Sequence, residues 1–177
     1  MGPTYHAPLK KRGLSVNGKL VAGGIVLSAL VAGIGGYWLQ EYAFYAPVAF
    51  QTGAEIVLTS LTSAKPVAIP VSDVTGIDAT SSPLRFRACF TSQISLATLT
   101  EGYTVYDKPT PLNAPSWFTC FDAGKITQAL DSGEAVAFLG QANVVPNTSD
   151  AQVDRVIAVF PDGQAFAWNQ LAPGVEP

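Results

Sequence analysis

Apolar positions are spread along this chain in two different ways. From Leu20 to Leu39 they are nearly continuous, and twenty residues pass without a charge. A helix rises about 1.5 Å per residue, so this stretch would reach roughly 30 Å, the thickness of a bilayer's hydrocarbon core. Beyond Gln40 the apolar residues come in short runs broken by Gly, Pro, Asp and Asn, which is how strands separated by turns read in a sequence. Strands are predicted near 55–61, 67–71, 84–91, 103–107, 117–121, 135–139, 154–160 and 164–169. Two helices fit between them. Asp122 suits the N-cap of one over 123–130, whose Ala123, Ile126, Ala129 and Leu130 keep helical spacing, with Gly133 just past its end. A second covers 94–99 and is stopped by Gly102. The Asp162-Gly163 pair between two apolar runs signals a tight hairpin, so antiparallel pairing is expected. The class is α+β: one N-terminal transmembrane helix, then a small extracytoplasmic domain with a mainly antiparallel sheet and few short helices.

Charge orients the segments. Before the apolar stretch stand Lys10, Lys11, Arg12 and Lys19 with no acid; after it come six basic residues against all thirteen acids, a net charge of minus seven. Positive residues favour the cytoplasmic side. The expected layout is therefore a basic cytoplasmic tail over 1–19, a transmembrane helix over 20–39 and a periplasmic domain over 40–177. Tyr37, Trp38, Tyr42 and Tyr45 would then fall at the outer interface, where amphipathic rings are favoured. A cleaved secretory signal begins in the same way, but its apolar core runs to about 7–15 residues and ends at an A-x-A site. This run is longer, and Gly33-Ile34-Gly35 is a poor substitute for that site. An outer domain this acidic would repel phosphates, so nucleic acid is not an expected partner.

The helix carries a stripe of small residues, Gly24, Ser28, Ala32 and Gly36, four apart and hence on one face. Such a face lets another helix approach closely in lipid, although small residues are also simply frequent in spanning helices. It points to the bilayer and a membrane-protein partner.

Chemistry-bearing residues are few. His6, the sole histidine, precedes the span, which leaves the outer domain without a Ser-His-Asp triad, a Cys-His pair or a histidine zinc site. No nucleotide-binding glycine motif occurs, and neither a metal nor a cofactor is expected. Cys89 and Cys120 are the only cysteines, and in an oxidising compartment a structural disulfide is expected. Its loop of about 32 residues would contribute roughly 3.5–4 kcal/mol in the chain-entropy model. Each cysteine lies in a strand-like run, so the bond would staple neighbouring strands; a redox pair would want Cys-x-x-Cys spacing, which is absent. Carboxylate catalysis by Asp73, Asp78, Asp107, Asp122 or Glu134 is open in principle, but Asp73 and Asp78 read as turn residues and Asp122 as a cap. In 84–90 strand alternation places Arg85, Arg87 and Cys89 on one face and Phe86, Ala88 and Phe90 on the other. Arg85 and Arg87 could grip an anion or a partner, or could pair with the domain's own acids such as Asp78 or Asp122.

Gly76-Ile77-Asp78, the run 81–90, the run 115–123 and Pro161-Asp162-Gly163 together resemble an uncharacterised family of alphaproteobacterial single-span inner-membrane proteins, over about Lys19 to Gln170. Some members are labelled histidine kinase, a label that does not fit a chain with no phospho-accepting histidine helix and no nucleotide box. The resemblance implies a bacterial inner membrane and a periplasmic domain, and supplies no activity or site residues. The expected function is a non-enzymatic accessory or assembly subunit of a larger inner-membrane complex, respiratory or photosynthetic. The alternative is a membrane-anchored periplasmic binding or sensing module for a small anionic ligand or protein partner.

Overall fold

The computed structural model describes residues 2, 17–145 and 152–174. His6, Lys10, Lys11, Arg12 and most of the loop expected over 146–152 lie outside them. The chain divides into two units, Met1–Leu39 and Gln40–Pro177.

The first unit contributes helix α1, Gly18–Trp38. The side chain of Asn17 starts it by accepting from Lys19 N, which satisfies one of the amides that a helix leaves unpaired at its first turn. None of its residues is buried, and it is long and apolar enough to cross a membrane. A π-helical turn, Leu39–Ala43, follows in the chain.

The second unit is built on an antiparallel sheet. Its strands are β1 (Ala46–Pro47), β4 (Val71–Asp78), β5 (Arg87–Ser92), β8 (Gln164–Leu171), β7 (Val153–Val159) and β6 (Val136–Gln141), in the order β1-β4-β5-β8-β7-β6. A separate hairpin pairs β2 (Val57–Thr59) with β3 (Pro66–Ala68). Both sheet faces are covered, so the alternation along each strand feeds two cores. One gathers Phe86, Ala88, Phe90, Phe138 and Ile157 against Leu58 of the hairpin and Leu99 of α2, Leu96–Gly102. The other gathers Cys89, Val156, Ala158 and Trp168 against Phe121 of the preceding loop and Ile126 of α3, Ala123–Ser132. The α+β class with its antiparallel sheet and few short helices is what the structure shows.

Helix α3 is bounded as its sequence dictates: Asp122 accepts from Lys125 N at the start, and Gly133 ends it at φ 74°, a left-handed conformation that costs glycine least. Strands β7 and β8 are joined through Pro161-Asp162-Gly163, with Gly163 at φ 88° and its N–H donating to Phe160 O. That is a three-residue hairpin loop with the left-handed residue last.

Three expectations need correction. The predicted strand over 103–107 is a segment with two isolated pairings, Ser60 with Tyr103 and Val105 with Phe138. The run 117–121 is no strand: Phe118 N and Phe121 N donate to Pro115 O and Phe118 O, so the backbone closes local turns. Cys120 therefore lies in an irregular loop and not on a strand. The residues read as turns around Asp73 and Asp78 form most of β4, the partner of both β1 and β5. Its Ser, Asp, Thr and Gly content hides it, and the register shift between Ser72 and Thr75, with Asp73 at φ 56°, marks a bulge where those polar residues sit. Gly76 has a packing reason, because a Cβ there would lie 2.6 Å from Phe50 Cζ and 3.1 Å from Arg87 O.

Candidate functional site

Ser82 accepts from Leu84 N and opens a short 3-10 turn, Pro83–Arg85, that delivers the chain into β5. This turn separates the two arginines that alternation would have put side by side. Arg87, on the strand, is 3% exposed and aims its guanidinium under the loop that follows Tyr106. Its Nε donates to Leu112 O at 2.8 Å, Nη2 to Asn113 O at 3.1 Å, and Nη1 to Leu84 O at 2.7 Å and Phe86 O at 2.6 Å. Phe121 lies 5.6 Å from the guanidinium carbon. Burial pulls its pKa well below the ordinary arginine value, to about 10, opposed by Tyr45 and Asp78. Four carbonyl dipoles thus take the place of water around this charge.

Arg85, in the turn, is only half-buried. Its guanidinium lies over the rings of Phe44 and Tyr45, at 5.8 and 5.3 Å, and its Nη1 is buried without a hydrogen-bond partner. Arg155 forms a third cation site, 3.7 Å from the Phe86 ring, with Nε donating to Asn169 Oδ1; burial lowers its pKa and Asp78 opposes this. Neither Asp78 nor Asp122 pairs with Arg85 or Arg87; the one ion pair among the described residues is Lys125 with Asp122, at 3.7 Å on the surface. A cleft of about 380 Å³ beside this region is lined by Phe44, Val48, Asp78 and Thr80, and by neither arginine.

Cys89 and Cys120 form a disulfide with Cα atoms 6.3 Å apart. Cys89 is buried in β5 and Cys120 is exposed, so the bond ties the long irregular loop to the middle of the sheet. The same loop supplies Leu112 O and Asn113 O to Arg87. A further polar core lies nearby: Tyr106 donates to Asp154 Oδ2 at 3.0 Å, and Asn143 N to Asp154 Oδ1 at 3.1 Å. Burial foremost, then the bond to Asp154, pushes the Tyr106 hydroxyl well above its ordinary value of 10. Gln170 accepts from Trp168 Nε1 and Thr110 N and donates to Lys108 O, which fastens the start of the loop to β8.

Sequence reasoning missed Trp117. The loop folds back so that Trp117 Nε1 donates to Glu41 O at 2.6 Å, while the Glu41 carboxylate accepts from Ser116 N at 3.0 Å and Ser116 Oγ at 3.2 Å. The indole stacks on Tyr42, with centroids 6.3 Å apart, and meets Tyr45 edge-on at 6.1 Å. Pro115 before Ser116-Trp117 was the available signal for a turn rather than a strand. On α1, Gly24, Ser28, Ala32 and Gly36 are spaced four apart, and Ser28 Oγ donates to Gly24 O at 2.8 Å, which removes a hydroxyl from competition with other partners. No group of three or more His, Cys, Asp or Glu able to hold a metal occurs among the described residues.

These features define an antiparallel α+β domain, closed by one disulfide, that follows an apolar helix in the same chain. The chain belongs to the family of unknown function DUF6446, whose model matches residues 56–176. Comparison with curated proteins and with solved structures finds no match.

Proposed function

We propose that this chain is a non-enzymatic accessory or assembly subunit of a larger membrane complex, respiratory or photosynthetic. Helix α1 would be anchored in a bacterial inner membrane, with the N-terminus cytoplasmic and the domain periplasmic. The observation that carries the reading is α1 itself, apolar and unburied along its length, with Gly24, Ser28, Ala32 and Gly36 leaving one side flat. The interior of the domain supports it: the buried guanidinium of Arg87 and the buried carboxylate of Asp154 are both held by the domain's own groups. The orientation rests on the basic residues before the helix and the acid excess after it.

The test is a pull-down of a C-terminally tagged chain from gently solubilised native membranes. Stoichiometric recovery of a complex is expected, and its loss when Gly24 and Gly36 are both replaced by Leu would place the dock on the stripe. Recovery of a solitary monomer would sink the subunit reading. The buried, unpartnered Nη1 of Arg85 favours a second reading, an anchored binding or sensing module for an anion. Arg87 adds little to such a grip, since its donors already face four carbonyls. A ligand-induced thermal shift that survives Arg85→Ala would count against it.

A further inference from the structure

Trp117 is 76 residues from Glu41 in sequence, yet its indole N–H is tied to the Glu41 carbonyl. Glu41 follows Leu39 by two positions, so chain connectivity alone keeps their Cα atoms within about 7 Å of each other. The loop 115–118 is therefore tied to the chain two residues past Leu39. The indole remains 37% exposed, stacked on Tyr42 at 43% and edge-on to the half-buried Tyr45. Because its only polar atom is occupied by Glu41 O, what Trp117 offers outward is ring surface. The Ser116 amide and hydroxyl occupy the neighbouring carboxylate of Glu41. Arg85, over Phe44 and Tyr45, adds a positive charge beside the same rings.

We propose that the loop carrying Trp117 is a second lipid contact: with Tyr42 and Tyr45 it forms an aromatic collar seated at the headgroup level of the bilayer that α1 crosses. This rests on the anchored reading above and adds a part of the folded domain to it. Ring-rich, half-exposed surface of this kind is favoured at the membrane interface, where one side of the ring meets acyl chains and the other meets water. The site is fastened from two directions, by Glu41 at the start of the domain and by the Cys89–Cys120 disulfide three residues further along the loop.

The full chain reconstituted into phosphatidylcholine vesicles tests it by tryptophan emission, with lipids brominated either near the headgroup or near the bilayer centre. Trp38→Phe leaves Trp117 and Trp168, and Trp168 is fully buried in the sheet core. Emission from this variant should fall more with shallow bromine than with deep bromine. The double variant with Trp117→Phe should lose that response. If the chain floats with the vesicles after an alkaline wash while Trp38→Phe is unquenched by either lipid, the collar is overturned and the anchor stands. If the chain does not float, the anchored reading fails and the collar with it. Retained near-ultraviolet dichroism of Trp168 in each variant shows that the domain is folded, so lost quenching then reports lost lipid contact.

Discussion

Arg85 and Arg87 are two residues apart and meet opposite fates. Arg87 enters the ladder of β5, is buried, and is surrounded by the carbonyls of Leu84, Phe86, Leu112 and Asn113. Arg85 stays in the turn, lies on two aromatic rings, and leaves one nitrogen unpaired. The difference lies in what surrounds each charge. A guanidinium has five donors in a rigid fork, and main-chain carbonyls arriving from two segments can match it without any carboxylate. Arg87 therefore acts as a cross-link between β5 and the loop, whereas Arg85 is a half-buried cation with an apolar bed.

The contrast is sharpest in stability. Arg87→Ala should cost ~3–5 kcal/mol, read from the denaturant midpoint of the detergent-solubilised chain, because a buried constellation of carbonyls loses its donor. Arg87→Lys, which keeps the charge but not the fork, should recover only part of this. A small loss on Arg87→Ala would erase the distinction between the two arginines. Next comes the staple on the same loop. Replacing Cys89 and Cys120 by Ser should cost roughly 3.5–4 kcal/mol. Combined with Arg87→Ala, the total should fall short of the two separate losses, since both act on the loop through 112–120. Strict additivity would show that Leu112 and Asn113 keep their places without the disulfide.

A smaller effect, of about 1–3 kcal/mol, is expected for Tyr106→Phe, which takes a hydrogen bond from the buried Asp154 carboxylate. It carries its own pH signature. The folded chain holds the Tyr106 proton above pH 10, where the unfolded chain releases it, so the folded state binds more protons there and stability declines as pH rises. Melting curves at pH 9 and above should fall less steeply for Tyr106→Phe than for the parent. Smallest of all should be Arg85→Ala, at about 1 kcal/mol, the usual worth of a cation over a ring that stays in touch with solvent, since Arg85 is only half-buried and makes no ion pair among the described residues. A large loss there would mean that Arg85 also holds the fold together.

Elements governed by local composition could be read from the sequence. The apolar run became α1, Asp122 and Gly133 bounded α3, and Asp162-Gly163 placed the hairpin between β7 and β8. Elements governed by distant partners could not. Strand β4 carries Ser72, Asp73, Thr75, Gly76 and Asp78, a composition of turns, and becomes a strand because β5 lies alongside it. The loop around Trp117 has strand-like residues, yet its backbone bonds go to local turns and its indole to Glu41. The pairing of Cys89 with Cys120 followed from there being two cysteines. The four carbonyls around Arg87 come from two segments that no periodicity connects.

The order of strands also sets a timetable for synthesis. Strand β8 is the last of the described strands and lies inside the sheet, between β5 and β7. Arg87 through Thr91 find their partners only in Trp168 through Gln164. At 5–20 residues per second, the ribosome needs roughly 4–14 s to carry synthesis from the end of β5 to the start of β8. Throughout that interval Ala88 and Phe90 stand at an unfinished edge, a nascent segment of the kind a holdase recognises. A chain cut before Gln164 would stay in that state, so β8 works as the latch that ends the domain's exposure to chaperones and proteases.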